Sequence, residues 1–450
     1  MRSLRVFPAL LAAILGATTL GASLSAPSAA APASRPDAAP SLTTVAPPLV
    51  INRDFPDPDV SHFGSTYYAY STNSGKNLPV ATAPAPGGPW TVSGSDGLPN
   101  LGAWASGGRT WAPDVSQRPD GKYLLYYAAH SVAANTQCIG AATASSPAGP
   151  FTPVGAGALV CNAGEGGEID PSSFVDTDGS RYLLYKNDGN SIGRAPSLWL
   201  QRVADDGVTF VGARHELLRN DRADEGGVIE APVLVHRPSR YVLFYSQGNY
   251  GGDAYATSYA TSATLTGAYT KAYRPLMTTA SFDNSVRGPG GADILGDRIV
   301  FHGWINSYSA RGMYVADLGW TGDLPVVRGS RVRYEAERGT LNDCAARADA
   351  AASQGSVVGK IDYADSWVQI GVFAPTAGNY TIHIGYAAGY GNAQQTLTVN
   401  GGNATVVNYP DHGWENWQQV GVGVTLNAGG NTLRFTHLTA YAELDFIEPA

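Results

Sequence analysis

Five short stretches of the chain repeat one alternation of polar turn and apolar run: STYYAYS at Tyr67, GKYLLYY at Tyr123, SRYLLYK at Tyr182, SRYVLFY at Tyr241 and DRIVFHG at Ile299. The intervals between them are 56, 59, 59 and 58 residues. Each stretch continues from a turn into aromatic, β-branched or leucine residues for about the length of a strand, which predicts a buried strand rather than a helix. Helical periodicity is scarce over the same region. A fixed period with several strands per unit predicts a solenoid or a propeller, and five units that close on themselves predict a five-bladed β-propeller over residues 48–327.

After DLPVVRGSRV the repeat stops. NYTIHIGYA, QQTLTVNGG, WQQVGVGVTLNAG, NTLRFTHL and ELDFIE alternate apolar and polar positions, and Asn400-Gly401 has hairpin-turn chemistry. Residues 332–450 therefore predict a small antiparallel β-sandwich of jelly-roll type, joined to the repeats by a short linker. The fold class expected is all-β, a five-bladed propeller followed by a sandwich module.

Composition agrees, with 24 Tyr, 9 Trp, 54 Gly, 29 Pro and only 15% charged residues. A formal net charge of −8 offers no basic surface, so nucleic acid is not an expected partner. Arg2 and Arg5 precede the apolar run Val6 to Leu20 and the small-residue stretch GASLSAPSAAAPA. This reads as a secretory signal over residues 1–31, followed by an Ala, Pro and Ser-rich leader over residues 32–47. Nothing later reaches membrane-spanning length, so the expected location is extracellular, with no membrane partner. In an oxidising compartment Cys138 and Cys161 are expected to pair, leaving Cys344 single.

Two near copies, EGGEIDPS from Glu165 and EGGVIEAP from Glu225, draw attention to their acids. Asp57, Asp114, Asp170 and Glu230 precede the repeated strands by ten, nine, twelve and eleven residues. Equivalent positions in a propeller converge at one mouth of the channel. One such acid alone is an ordinary turn residue. Four at one address repel each other unless substrate, metal or a shared proton offsets the repulsion. Carboxylates at an aromatic-lined mouth suit glycosidic cleavage, which needs one protonated and one ionised acid, with a third to set the difference.

In their order, FPDPDV, WAPDV, EIDPSSFVDTDGSRYLLY and VIEAPVLV, spread over Asn52 to about Leu324, resemble glycoside hydrolase family 43. The resemblance implies Asp57 as the base that activates water, Asp170 as the acid that tunes pKa and orientation, and Glu230 as the general acid. It implies inversion with no catalytic cofactor, and hence Asp57 and Glu230 roughly 6.5–9.5 Å apart. Trp111 and Phe55 are expected to stack on sugar, Asp114 to form channel wall at the substrate site, and Arg287 to bind hydroxyls. Gly291 stands where relatives often carry histidine, and His302 is expected to approach the axis instead.

The pieces YEAE, GWENW and LDFIE resemble carbohydrate-binding modules of families 35 and 6. This implies a structural calcium on Glu335, Glu337 and Asp445, with Tyr386 and Trp414 stacking and His412 and Asn416 supplying polar contacts. Together the resemblances imply a secreted inverting hydrolase of plant cell-wall polysaccharide, first an α-L-arabinofuranosidase. β-Xylosidase, arabinanase and galactanase are alternatives within the family. A retaining fructosyl hydrolase or transferase is a rival, though its NDPNG and ECP pieces are here PDPDV and EAP. A non-catalytic sugar-binding lectin is the other.

Overall fold

The computed structural model describes residues 45–450. The expected signal segment and most of the leader lie outside these residues. Five antiparallel units follow one another along the chain, four of them four-stranded and the fifth five-stranded, with Leu324–Val327 paired outside Ala310–Thr321. The first runs from Asp59–Phe63 to Thr91–Val92, the second from Ala105–Gln117 to Thr152–Pro153, and the third from Glu168–Val175 to His215–Arg219. The fourth runs from Ile229–Arg237 to Thr270–Lys271. The fifth combines Arg287–Leu295, Arg298–Ile305 and Ala310–Thr321 with the early strand Leu49–Ile51, which pairs antiparallel to Ala310–Thr321 with Leu49 opposite Tyr314. The two ends of the repeat are thus zipped into one blade. Each innermost strand also touches the next, the fifth touching the first, so the ring is closed.

The repeated strands of the sequence are the second strands of the blades. Leu125, Leu184, Leu243 and Phe301 are fully buried among neighbours from their own and adjacent blades. The inner strands carry the feature that shapes the site. Asp57, Ala112, Asp170, Ala231 and Gly291, one per blade, have left-handed φ values of 51°, 40°, 54°, 51° and 56°. The first four precede proline, and bulges fall at this point in the second to fifth blades. A non-glycine residue in this conformation costs roughly 1–3 kcal/mol, so something must hold it. A side chain from the preceding blade does so in four cases. The Asp57 amide donates to His302 Nδ1 (3.1 Å), Ala112 to Thr72 Oγ1 (2.8 Å), Ala231 to Asp170 Oδ2 (2.9 Å) and Gly291 to Ser246 Oγ (2.9 Å).

This corrects the expectation that four acids share one address. Asp57 and Asp170 do. Glu230 sits one residue earlier and Asp114 two residues later, level with Asp59 and Asp293. Those three form a deeper ring on a narrow axial cavity of about 50 Å³. They also fasten blades: Asp59 accepts the Val115 amide (2.8 Å), Asp293 the Val60 amide (2.8 Å) and Asp114 the Ser173 hydroxyl.

The C-terminal unit is a sandwich of two sheets. One runs Ala345–Ala348, Ser356–Gly359, Ala442–Pro449, Gly378–Ala388, Gly413–Leu426, with Tyr334–Glu335 added beside Ala442–Pro449. The other runs Thr340–Asn342, Trp367–Ala374, Gly429–Thr439, Ala393–Val399, Ala404–Tyr409. Ile370, Ile382, Ile384, Leu397, Leu433, Phe435 and Leu444 fill the space between them. The sandwich is anchored to the propeller. Arg274 and Arg333 converge on Glu448 (2.9 and 2.8 Å), Tyr273 donates to Glu335 (3.0 Å), and the Phe373 ring lies so near Gly319 that a Cβ there would come within 2.4 Å of it. Cys138 and Cys161 are joined by a disulfide. Among the described residues no helix is long and apolar enough to cross a membrane.

Burial pushes the Asp114 and Asp293 carboxyls up to about 6, and burial with the charges of Asp114 and Asp293 pushes Asp59 well above the usual carboxylate range. Each acid holds its proton more tightly folded than unfolded. The stability it contributes is therefore complete below pH ~4 and is lost as the pH rises through about 6. Asp114→Asn keeps an acceptor for Ser173 and removes the charge. Thermal unfolding should show the variant more stable than the parent at pH 8, by about 1–2 kcal/mol, and little changed at pH 4. Equal or lower stability at pH 8 would show that the ring carries no such charge cost.

Candidate active site

Above the ring the mouth opens into a cleft of about 410 Å³, large enough for a sugar and part of its neighbour. Asp57, Asp170, Glu230, Thr72, Trp111, Lys186, Asp188, Asn190, Tyr250, Tyr255 and Arg311 line it. The left-handed turns turn the Asp57 and Asp170 side chains onto the axis, while Glu230 reaches the same space from the start of its strand.

Asp57 is surrounded by groups that favour its charge. Thr72 Oγ1 donates to Oδ2 (2.6 Å), Arg311 Nη1 stands 3.3 Å from Oδ1, and His302 Nδ1 lies 3.2 Å from Oδ1. Burial alone would raise its pKa, but Arg311, His302 and Thr72 together outweigh burial and hold the carboxyl well below the usual range. His302 is fully buried, and burial with the Arg311 charge lowers its pKa. Its Nδ1 accepts the Asp57 amide, and its ring stacks on Tyr255.

Asp170 has the opposite surroundings. Burial first, then the Glu230 charge, pushes its carboxyl up to about 8, although Lys186 and the Ala231 amide act the other way. Glu230 accepts from Lys186 Nζ at Oε2 (2.9 Å) and from the Tyr255 hydroxyl at Oε1 (2.8 Å). Two carboxyls on one cleft are thus held in different protonation states, one ionised and one carrying a proton.

Several expectations need correction. Phe55 does not face sugar: two residues before the turn at Asp57, it is buried against Ile51, Val60, Ala69, Val300 and Met313. Asp114 belongs to the deeper ring, beneath the cleft. Arg287 is tied to Asp253 on the rim (2.8 Å) and does not line the cleft; Arg311, from the next strand but one, is the arginine at the site. His302 touches Asp57 from behind and does not line the cleft. Trp111 lines it as expected, and Tyr250 faces the same space with Arg311 over its ring (5.3 Å). Sequence reasoning missed Lys186, Thr72, Tyr255 and Arg311. Lys186 alone left a signal, as a charge ending the apolar run YLLY.

In the sandwich, Tyr386 is core: it is 1% exposed and its hydroxyl donates to the Pro410 carbonyl. Trp414 instead meets the exposed Tyr390, ring centroids 5.5 Å apart, and Tyr390 meets Tyr441 at 6.4 Å, giving an aromatic patch on the surface. Asn416 is exposed nearby, its amide on the His412 carbonyl. Glu335 is buried, so it is no solvated surface acid. Its Oε1 accepts from Ser353 Oγ (2.9 Å), and Asp445 takes the Ser353 amide on both oxygens. Burial, then the Glu335 charge with a smaller share from Glu337, pushes Asp445 up to about 6, and Oε2 of Glu335 and of Glu337 are buried without partners. Hard oxygens are the donors that calcium takes, but among the described residues no group of three or more acidic, histidine or cysteine side chains is placed to hold a metal ion.

Comparison with known proteins agrees with this architecture. The profile of Glycosyl hydrolases family 43 matches residues 47–315, and that of Carbohydrate binding module (family 35) matches residues 332–448. The chain is 26% identical over 287 residues to an extracellular endo-α-(1→5)-L-arabinanase of Bacillus subtilis, covering 60% of this chain and 86% of that protein. It is 25% identical over 269 residues to a β-D-galactofuranosidase of Aspergillus niger, covering 55% and 73%. A solved thermostable family-43 glycoside hydrolase superposes with a TM-score of 0.55 at 22% identity, over 64% of this chain and 96% of that one. With the family profile spanning more than half of its length and the five-bladed ring in place, the chain belongs to Glycosyl hydrolases family 43, enzymes that hydrolyse O-glycosyl bonds, and it ends in a family 35 carbohydrate-binding module.

Proposed function

We propose that the protein is an exported, inverting hydrolase of α-L-arabinofuranosyl linkages in plant cell-wall arabinan. The observation that carries the reading is the contrast across one cleft: Asp57 held ionised by Arg311 and Thr72, and Asp170 with Glu230 held around a proton. Asp57 takes a proton from water as the water oxygen attacks the anomeric carbon, and the opposite acid gives a proton to the departing oxygen. The arabinanase relative supports the glycone, and the galactofuranosidase relative, also a hydrolase of five-membered sugar rings, supports a furanose pocket. Trp111 and Tyr250 are the faces on which the sugar stacks. Export is supported by the signal-like composition of residues 1–31.

We assign the module to holding the enzyme on polysaccharide through Tyr390, Trp414 and Tyr441. A calcium held by Glu335, Glu337 and Asp445 would lock the Ser353 loop and the first strand of the sandwich together.

Asp57→Asn and Glu230→Gln should each lower kcat on linear arabinan by about 10³-fold or more, and proton NMR should find the β-anomer as first product; near-parental rates, or the α-anomer, would refute the roles. Arg311→Met removes the main cation at Asp57, so its pKa rises and the acidic limb of kcat/KM should move up by about one pH unit or more; an unmoved limb counts against Asp57 as the base. Tyr390→Ala with Tyr441→Ala should abolish retention on insoluble polysaccharide while hydrolysis of a nitrophenyl arabinofuranoside stays within about twofold. Calcium chelation should lower Tm in the parent and leave Glu337→Gln unmoved.

A further inference from the structure

The cleft holds a cation that glycosidic cleavage by three carboxyls does not call for. Lys186 is the last residue but one of Arg181–Asn187, the second strand of the third blade, and its side chain is only 1% exposed. Its ammonium lies 2.9 Å from Glu230 Oε2 and 3.0 Å from Asp188 Oδ1, and the Asp170 charge acts on it as well. A general acid must carry a proton to deliver. Here both oxygens of the acid face donors, the Lys186 ammonium and the Tyr255 hydroxyl, so the arrangement needs a reason.

Both Glu230 oxygens are already acceptors, one from Lys186 and one from Tyr255. Asp170 uses Oδ2 for the Ala231 amide and makes no other hydrogen bond with a described residue. We propose that Lys186 is a positioning residue for the general acid: its ammonium, tethered by Asp188, clamps Glu230 in the cleft and limits the Asp170–Glu230 pair to one shared proton. The proposal rests on the assignment of Glu230 as the acid.

In the resting enzyme that proton is on Asp170. When the glycosidic oxygen approaches Glu230, the proton passes through the pair to that oxygen as its bond to the anomeric carbon breaks. Asp57 gains the proton lost by the attacking water, and solvent returns it to Asp170, so each cycle consumes one water and no net proton. Burial would lower the Lys186 pKa, but Glu230, Asp188 and Asp170 outweigh burial and raise it, so the ammonium persists through the working range. The remaining charged or titratable groups facing the pair are Tyr255 from the fourth blade, Asp57 from the first, and His302 and Arg311 from the fifth.

The test is the pH profile of kcat/KM on an unactivated arabino-oligosaccharide and on a nitrophenyl arabinofuranoside, for the parent, Lys186→Met, Lys186→Arg, Asp188→Asn and Glu230→Gln. Removing the ammonium raises the proton affinity of the pair, so in Lys186→Met the alkaline limb should move up by about one pH unit or more. Its kcat should fall more on the oligosaccharide than on the nitrophenyl substrate, with KM within about threefold. Lys186→Arg should return the limb to its parental place. Asp188→Asn, which keeps the ammonium and removes its counter-charge, should move the limb down, and it serves where Lys186→Met fails to fold. A uniform loss at every pH with the limb unmoved, or the same limb in the Met and Arg variants, overturns the proposal while leaving the acid assignment standing. Parental rates for Glu230→Gln on the oligosaccharide would instead remove the acid assignment itself.

Discussion

The left-handed turn that precedes or interrupts each inner strand is the constraint on which the rest depends. A non-glycine residue there is strained, and at Asp57, Ala112 and Ala231 the amide is taken by a side chain of the preceding blade, as it also is at Gly291. The clasp is therefore also a closure device. His302 in the fifth blade holds Asp57 in the first, as Thr72 holds Ala112 and Asp170 holds Ala231, so blade order and site geometry are fixed by the same hydrogen bonds. The carboxyls reach the axis because the turn redirects side chains that a regular strand would alternate between its two faces.

Given that convergence, the chemistry is set by which cations arrive with the acids. Asp57 and Asp170 occupy equivalent turns, and both are buried. Arg311 and the Thr72 hydroxyl make one a stable anion, whereas the Glu230 charge beside the other makes it a proton holder, only partly relieved by Lys186. Symmetry of the fold supplies the addresses, and departures from symmetry in the surrounding side chains supply the difference in function. The deeper ring of Asp59, Asp114 and Asp293 has no such cations among its causes, and its members are all pushed up.

What could be read along the chain was whatever repeats or stays local. The period showed in the apolar runs, and Asp57, Asp170 and Glu230 showed through their fixed distance from them. Residues that act through pairing across the ring left almost no trace: Arg311 and His302 meet Asp57 across 254 and 245 positions, and Lys186 meets Glu230 across 44. Adjacency also misled. Phe55 is two residues from Asp57 yet points into the core, and Asp114 looked equivalent to Asp57 until the φ values placed Ala112 at that address. Tyr386 failed for a similar reason, since strand alternation around it places it inward while the loop residues Tyr390 and Tyr441 carry the exposed rings.

The glycine at 291 and the histidine that holds Asp57 depend on each other. Here a Cβ on Gly291 would stand 2.7 Å from His302 Nδ1 and 3.0 Å from Asp57 Oδ1, and φ there is 56°. The space is already filled by an imidazole arriving from the neighbouring strand, where His302 lies opposite Gly290 in the register. Any side chain at 291 would have to displace the ring that holds the Asp57 amide. The two positions therefore act as one unit, in which the bare glycine leaves the room that the His302 ring fills and the Asp57 turn is held by that ring from behind.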